Sequence, residues 1–221
     1  MICLSGLPRS GGTLLYNLLQ QNYRFSVMSK DGQWGTDKSL NTLFQIRNPK
    51  IILTYRPILE VLASFIQLAN QYPESNFIDK GMAEDSFQAL SYRPLDDARC
   101  DWLMRPNGGI ELRFSAFKNS VIHNEMFHVV SYDELTNNPK NTLKNIYDFV
   151  GYSYYDHDLN NIIQKTKIDD ANIFGIPTLH TIRKKLDKSL TNPQEVLSDY
   201  VIQKYSNAMD FYTKDWLQSQ P

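Results

Sequence analysis

Apolar residues recur along this chain in two alternating rhythms. Four short runs read as strands: Ile2 to Ser5, Phe25 to Met28, Ile51 to Tyr55 and Phe127 to Tyr132. The first, third and fourth are nearly continuous in apolar residues, as strands covered on both faces are. Between them the spacing becomes helical. Leu14, Leu15, Leu18 and Leu19 form one stripe, and Leu62, Phe65, Ile66 and Ala69 form another. A third helix is marked at both ends, with Asn138 as N-cap, Pro139 at the first helical position and Gly151 just past the end; Leu143, Ile146 and Val150 make its apolar face. Strands alternating with helices predict an α/β chain, a parallel β-sheet flanked by helices and doubly wound.

The stretch 70–124 departs from this pattern. It holds Pro73, Gly81, Pro94, Pro106 and the Gly108-Gly109 pair and shows little sustained periodicity. It reads as helices and loops inserted between two strands of a single domain spanning 1–221, in the place where acceptor recognition is expected on a rigid scaffold. Beyond Gly151 the chain is expected to be mostly helical, apart from a basic loop from His180 to Lys185.

Gly6-Leu7-Pro8-Arg9-Ser10-Gly11-Gly12-Thr13 joins the first strand to the first helix. Its spacing is that of a phosphate-binding G-x-x-x-x-G-K-[ST] loop, with Gly12 where the lysine would stand. A strand, a tight glycine turn and a helix start aim several backbone N–H groups at one point, and the helix dipole adds partial positive charge there. The lysine that reaches the outer phosphates of ATP is absent, so the cationic duty passes to Arg9. A second arginine, Arg56, closes the third strand at its carboxyl edge, where open α/β sheets bind ligands. Pro57 follows it at the expected first position of the next helix, and Ser64 stands eight residues beyond Arg56.

Composition narrows the reading. Hydrophobic residues at 42% and charged residues at 21% are ordinary for a globular protein, and 221 residues suffice for a full core. The formal net charge of -1 supplies no global attraction to nucleic acid or an anionic membrane, so any anion site is local. Cys3 and Cys100 are too few for a disulfide framework, and Cys3 reads as a small buried apolar residue. The chain opens on the strand-like run without a basic leader, and no apolar segment approaches the roughly 18 residues that span a bilayer. The expectation is a cytoplasmic protein without nucleic-acid or integral membrane contact.

Pro8-Arg9-Ser10-Gly11-Gly12-Thr13 resembles, position by position, the phosphosulfate loop P-[KR]-S-G-[TSG]-[TS] of the sulfotransferase family. The resemblance extends over about residues 2 to 185, with the middle insertion poorly matched, and implies the sulfotransferase variant of the P-loop nucleotide-hydrolase fold. It implies 3′-phosphoadenosine 5′-phosphosulfate as donor, adenosine 3′,5′-bisphosphate as product, and no metal. Arg9 would then contact the bridging oxygen and sulfuryl group, and Ser10, Gly11, Gly12, Thr13 and Leu14 would hold the 5′-phosphate. Cytosolic family members often carry lysine and tryptophan where Arg9 and Leu14 stand. Arg56 and Ser64 resemble the family's 3′-phosphate pair. Val130-Ser131-Tyr132-Asp133-Glu134-Leu135, with Asn138-Pro139 after it, resembles the strand end whose tyrosine faces adenine, here Tyr132. His180-Thr181-Ile182-Arg183-Lys184-Lys185 resembles the basic segment that closes over the 3′-phosphate, with Arg183 as the contact.

Sulfuryl transfer requires a base to take the acceptor's proton as it attacks sulfur. The histidine that cytosolic members place before the third strand is missing, since no histidine precedes His123. Carbohydrate and tyrosine sulfotransferases use a carboxylate roughly twenty to thirty residues past the loop, an interval that holds Asp31 and Asp37. The base candidates are therefore Asp31, Asp37 and His123. The acceptor would be a small metabolite, glycan or lipid headgroup offering a hydroxyl or amine. A non-catalytic nucleotide-binding protein and an ATP-dependent kinase are the alternatives; Gly12 in the lysine position weighs against the kinase.

Overall fold

The computed structural model describes residues 2–25, 27–30, 49–87, 92–106, 108–111, 113, 125–165, 167–188 and 191–206. The chain divides into two compact units, each described separately below. The first comprises Met1–Arg56, Leu112–Lys167 and Thr181–Ser189; the second comprises Pro57–Glu111, Ile168–His180 and Leu190–Pro221.

In the first unit four strands, β1 (Ile2–Gly6), β2 (Val27–Lys30), β3 (Lys50–Tyr55) and β4 (Phe127–Ser131), form a parallel sheet in the order β2-β1-β3-β4 among the described residues. Register places Leu4 opposite Ile52, and Thr54 opposite Val130. Ile2, Leu4, Ile52 and Val130 belong to one core, which α1 (Gly12–Leu19) and α6 (Pro139–Val150) complete with Leu15, Leu18, Leu19, Leu143, Ile146 and Tyr147. Helix α1 packs beside β1 and β2, and α6 beside β3 and β4. Cys3, Ile51, Leu53 and Phe127, on the other pleat, are buried as well. Burial of both faces is what the continuous apolar runs require. Between β4 and α6 lies the short α5 (Tyr132–Asn137).

Four local expectations are corrected. The second strand is Val27–Lys30 rather than Phe25 to Met28, because a turn in which Asn22 O accepts from Phe25 N (2.9 Å) sends the Phe25 ring into the core first. Tyr132 begins α5 instead of ending β4. Asn138 occupies the N-cap position of α6, but its side chain makes no capping bond; Pro139 and the left-handed Gly151 bound the helix as expected. Beyond Gly151 the described residues of the first unit are irregular rather than helical. There Asp158 Oδ1 accepts from Asn160 N at 2.9 Å and Asn161 N at 3.1 Å, a side-chain turn that competes with helix. Leu159 and Ile162 are spent on the core cluster.

The second unit is helical in its described residues: α2 (Ile58–Gln71), α3 (Phe77–Glu84), α4 (Leu95–Leu103), α7 (Asp170–Phe174), α8 (Pro193–Val196) and α9 (Asp199–Tyr205). Pro57 is the N-cap of α2 rather than its first helical residue. The expected stripe Leu62, Phe65, Ile66 and Ala69 is buried. A polar cluster ties α2, α3 and α4. The Arg99 guanidinium, 1% exposed, donates to Asp79 at 2.7 and 2.6 Å, to Asp96 at 2.8 Å, and to Asn70. Asn76 caps α3 and donates to Asp79 at 2.8 Å. Farther along, Ser198 caps α9 and donates to Asp97 at 2.7 Å, while Asp101 accepts from Arg93, Lys204 and Tyr205. No described helix is long and apolar enough to cross a membrane.

Candidate functional site: the phosphate loop of the first unit

The loop after β1 is shaped by close approach to β3. Gly6 has φ 148°, and a Cβ there would lie 2.2 Å from the Thr54 carbonyl oxygen, so only glycine fits. Leu7 N donates to that carbonyl at 3.0 Å, turning the chain at the sheet's carboxyl edge. Arg9 and Gly11 take left-handed conformations, φ 59° and 87°. For Arg9 this conformation costs about 1–2 kcal/mol, which the surrounding contacts must offset. A Cβ on Gly11 would meet the Tyr132 ring at 2.8 Å.

Helix α1 then begins at Gly12. Its N-terminus has no side-chain cap and no acid in its first turn. The first N–H groups of any α-helix lack partners within the helix, so Gly12, Thr13 and Leu14 present donors and the positive end of the dipole. A tetrahedral anion suits this arrangement. Among the side chains, Ser10 is 1% exposed and its hydroxyl turns inward, onto the Leu7 carbonyl and Thr54. Thr13 O accepts from the Asn17 amide at 2.7 Å, and Leu14 packs against the core cluster. Ser10 and Leu14 thus leave only their main chain to face an anion.

Arg56 follows β3 directly and is 3% exposed. Its guanidinium lies 4.6 Å from the Tyr132 ring centroid, and Nη1 is 3.4 Å from the Arg9 carbonyl oxygen. A cation over a tyrosine face is stabilised by the ring quadrupole. Tyr132, read from sequence as an adenine-facing residue, retains 7% exposure and meets Gly11 and Arg56. The structure therefore brings Arg56, Tyr132, Gly11 and the Arg9 main chain together.

Ser64 lies on α2 in the second unit and is buried. Arg183 is exposed and pairs with Asp187 at 3.1 Å. Its segment is fastened to the first unit: Leu186 N donates to Leu159 O at 2.8 Å, Ile162 N to Lys184 O at 2.6 Å, and Lys188 pairs with Asp133 at 2.9 Å. Asp31, Asp37 and His123 lie outside the described residues. Sequence reading passed over Thr54, the floor of the loop; a lone threonine inside an apolar strand was the available signal. It also read His180 only as part of a basic loop. In the second unit Asp170 accepts from His180 N at 2.8 Å and meets His180 Nδ1 at 2.6 Å, which orients the imidazole.

The first unit thus pairs a parallel sheet with an uncapped helix start behind a glycine turn, the strand–loop–helix arrangement expected from the sequence. The sulfotransferase domain family model matches residues 35–213, and the chain belongs to that family. The match begins beyond the loop, so the loop's likeness to the family is additional to it. A solved sulfotransferase domain from the curacin biosynthetic pathway is similar at a TM-score of 0.42 and 14% identity, over 94% of this chain. This chain spans 65% of that structure's length. No curated protein sequence matches the chain.

Proposed function

We propose that this protein transfers a sulfuryl group from 3′-phosphoadenosine 5′-phosphosulfate to a hydroxyl or amine acceptor, releasing adenosine 3′,5′-bisphosphate. The observation that carries the reading is the uncapped start of α1 behind the Gly6–Gly11 turn, with Arg9 in the loop and Arg56 beside it. A turn that packing against Thr54 and Tyr132 restricts to glycine at positions 6 and 11, followed by an uncapped helix start, fits a single phosphate approached by main chain. When bound, the donor supplies the activated sulfuryl group. N–H groups at the start of α1 hold and orient its 5′-phosphate. Arg9 stabilises the charge that gathers on that phosphate as the S–O bond breaks, which is transition-state stabilisation. Arg56, its guanidinium placed by the Tyr132 ring, is matched to the 3′-phosphate, the group that sets this donor apart from ordinary nucleotides.

The acceptor's proton goes to a base among Asp31, Asp37 and His123 as its oxygen or nitrogen bonds to sulfur. The acceptor is a metabolite, glycan or lipid headgroup, and the reaction is assigned to the cytoplasm. The test is product formation from labelled donor, without Mg²⁺, over a panel of hydroxyl and amine compounds. Sulfated product from at least one member is expected. Tight bisphosphate binding with no product from any acceptor would leave a nucleotide-binding protein without catalysis. Asp31→Asn, Asp37→Asn and His123→Ala identify the base.

A further inference from the structure

We infer that Thr54 is a positioning residue for the donor's 5′-phosphate, acting through Ser10 on the conformation of the loop. This rests on the sulfuryl-donor reading above. Thr54 is the penultimate residue of β3 and 1% exposed. It meets the phosphate loop at both ends. Its carbonyl accepts from Leu7 N at 3.0 Å and lies 3.1 Å from Ser10 Oγ, while its own hydroxyl lies 2.7 Å from Ser10 Oγ. The same hydroxyl is 3.4 Å from the Ser5 carbonyl oxygen and 3.4 Å from the position a Cβ on Gly12 would occupy.

Each hydroxyl has one proton to give. Ser10 Oγ makes its closest approach to the Leu7 carbonyl, which can only accept, so the Ser10 proton goes there. Thr54 Oγ1 then donates to Ser10 Oγ. The result is a two-step relay from the sheet into the loop: Thr54 to Ser10, and Ser10 to Leu7. The bond from Ser10 back to Leu7 closes the turn that contains Arg9, the residue held at φ 59°. Removing the Thr54 hydroxyl leaves the Ser10 oxygen, still donating to Leu7, buried without the donor that fills its lone pair, which is unfavourable. Relief comes from rotating Ser10 outward, which opens the turn and displaces Arg9 and the N–H groups that follow it. The sheet side of Thr54 is spared, because its carbonyl still receives Leu7 N.

Consequently the hydroxyl matters for one part of the ligand only. Binding of adenosine 3′,5′-bisphosphate and adenosine 3′-monophosphate is to be measured by calorimetry for wild type, Thr54→Val, Thr54→Ser and Ser10→Ala. Wild type is expected to favour the bisphosphate. Thr54→Val should cut that preference about tenfold, the size of one lost hydrogen bond to a charged-ligand cradle, while leaving monophosphate binding within about twofold. Thr54→Ser should restore the preference. Ser10→Ala should reproduce the loss, and Thr54→Val with Ser10→Ala together should lose no more than either alone, since they interrupt one relay. An unchanged preference in Thr54→Val overturns the inference. So does equal weakening of both nucleotides, which marks Thr54 as a packing residue. If Thr54→Val fails to fold, Ser10→Ala against Thr54→Ser decides, and a full preference in Ser10→Ala overturns the relay. A wild type that binds both nucleotides equally overturns the donor reading itself.

Discussion

Two buried arginines, one in each unit, illustrate different uses of the same side chain. Arg99, 1% exposed, meets Asp79 and Asp96 at 2.6–2.8 Å and locks three helices of the second unit. Arg56, 3% exposed, is placed in the first unit over the Tyr132 ring, with the Arg9 carbonyl at 3.4 Å. Two carboxylates neutralise a guanidinium as well as orient it, and a ring face adds orientation of its own. Arg99 serves the fold of the helical unit, while Arg56 stands beside the glycine loop, where the proposed donor would bring a phosphate. The surroundings agree, since glycines and two hydroxyls shape the loop while acids and caps shape the helical unit.

The comparison breaks most easily at Arg99. Arg99→Ala removes one side of a buried charge cluster, which typically costs about 3–5 kcal/mol. The low end is expected, because Asp79 and Asp96 keep 18% and 38% side-chain exposure and can regain water. Calorimetric unfolding should show this loss, while bisphosphate affinity at a temperature where the variant is folded stays near wild type. A parallel collapse of affinity would show that Arg99 does more than hold the fold.

Arg9→Ala tests the loop's chemistry. Loss of one stabilising contact to developing charge costs about 10²–10³-fold in turnover, and that loss should exceed the loss in bisphosphate affinity. Unchanged turnover at saturating donor would reduce Arg9 to a binding residue.

Arg56→Ala is the counterpart to Arg99→Ala. Losing a charged hydrogen bond should weaken adenosine 3′,5′-bisphosphate by about tenfold to a hundredfold and barely change AMP, with little effect on melting. Equal affinities for the two nucleotides in wild type would remove the 3′-phosphate role from Arg56.

The smallest effect separates the units by pH. In the first unit His157 Nε2 lies 3.1 Å from the Tyr147 hydroxyl, and burial, the largest influence, holds the ring below its ordinary 6.5. Burial lowers His128 likewise. The folded rings stay neutral where the unfolded chain already binds protons, so their contribution is full above about 6.5 and declines as pH falls below it. In the second unit burial would raise Asp79, but hydrogen bonds from Arg99 and Asn76 outweigh it and hold the carboxyl below its ordinary 3.8. That contribution persists above about 3.8 and is lost as pH falls further. Calorimetry across pH 7 to 3 should show weakening that begins near 6.5 and a second loss below 3.8; a single onset at the lower pH would contradict the His157 account.

Local pattern by itself determined the strand–loop–helix order, the glycines of the phosphate loop, the buried stripes of α1 and α2 and the ends of α6. These follow from side-chain period and from backbone conformations that few residues adopt. Local reasoning failed between residues 152 and 165, where Asp158 and the core contacts of Leu159 and Ile162 defeat a helical reading. Only the tertiary structure turned the Ser10 hydroxyl inward and made Thr54 the floor of the loop, because those partners lie 44 residues apart and meet when β1 pairs with β3. The same parallel pairing of β3 with β4 set Arg56 over Tyr132, a meeting of two strand ends that no local spacing encodes.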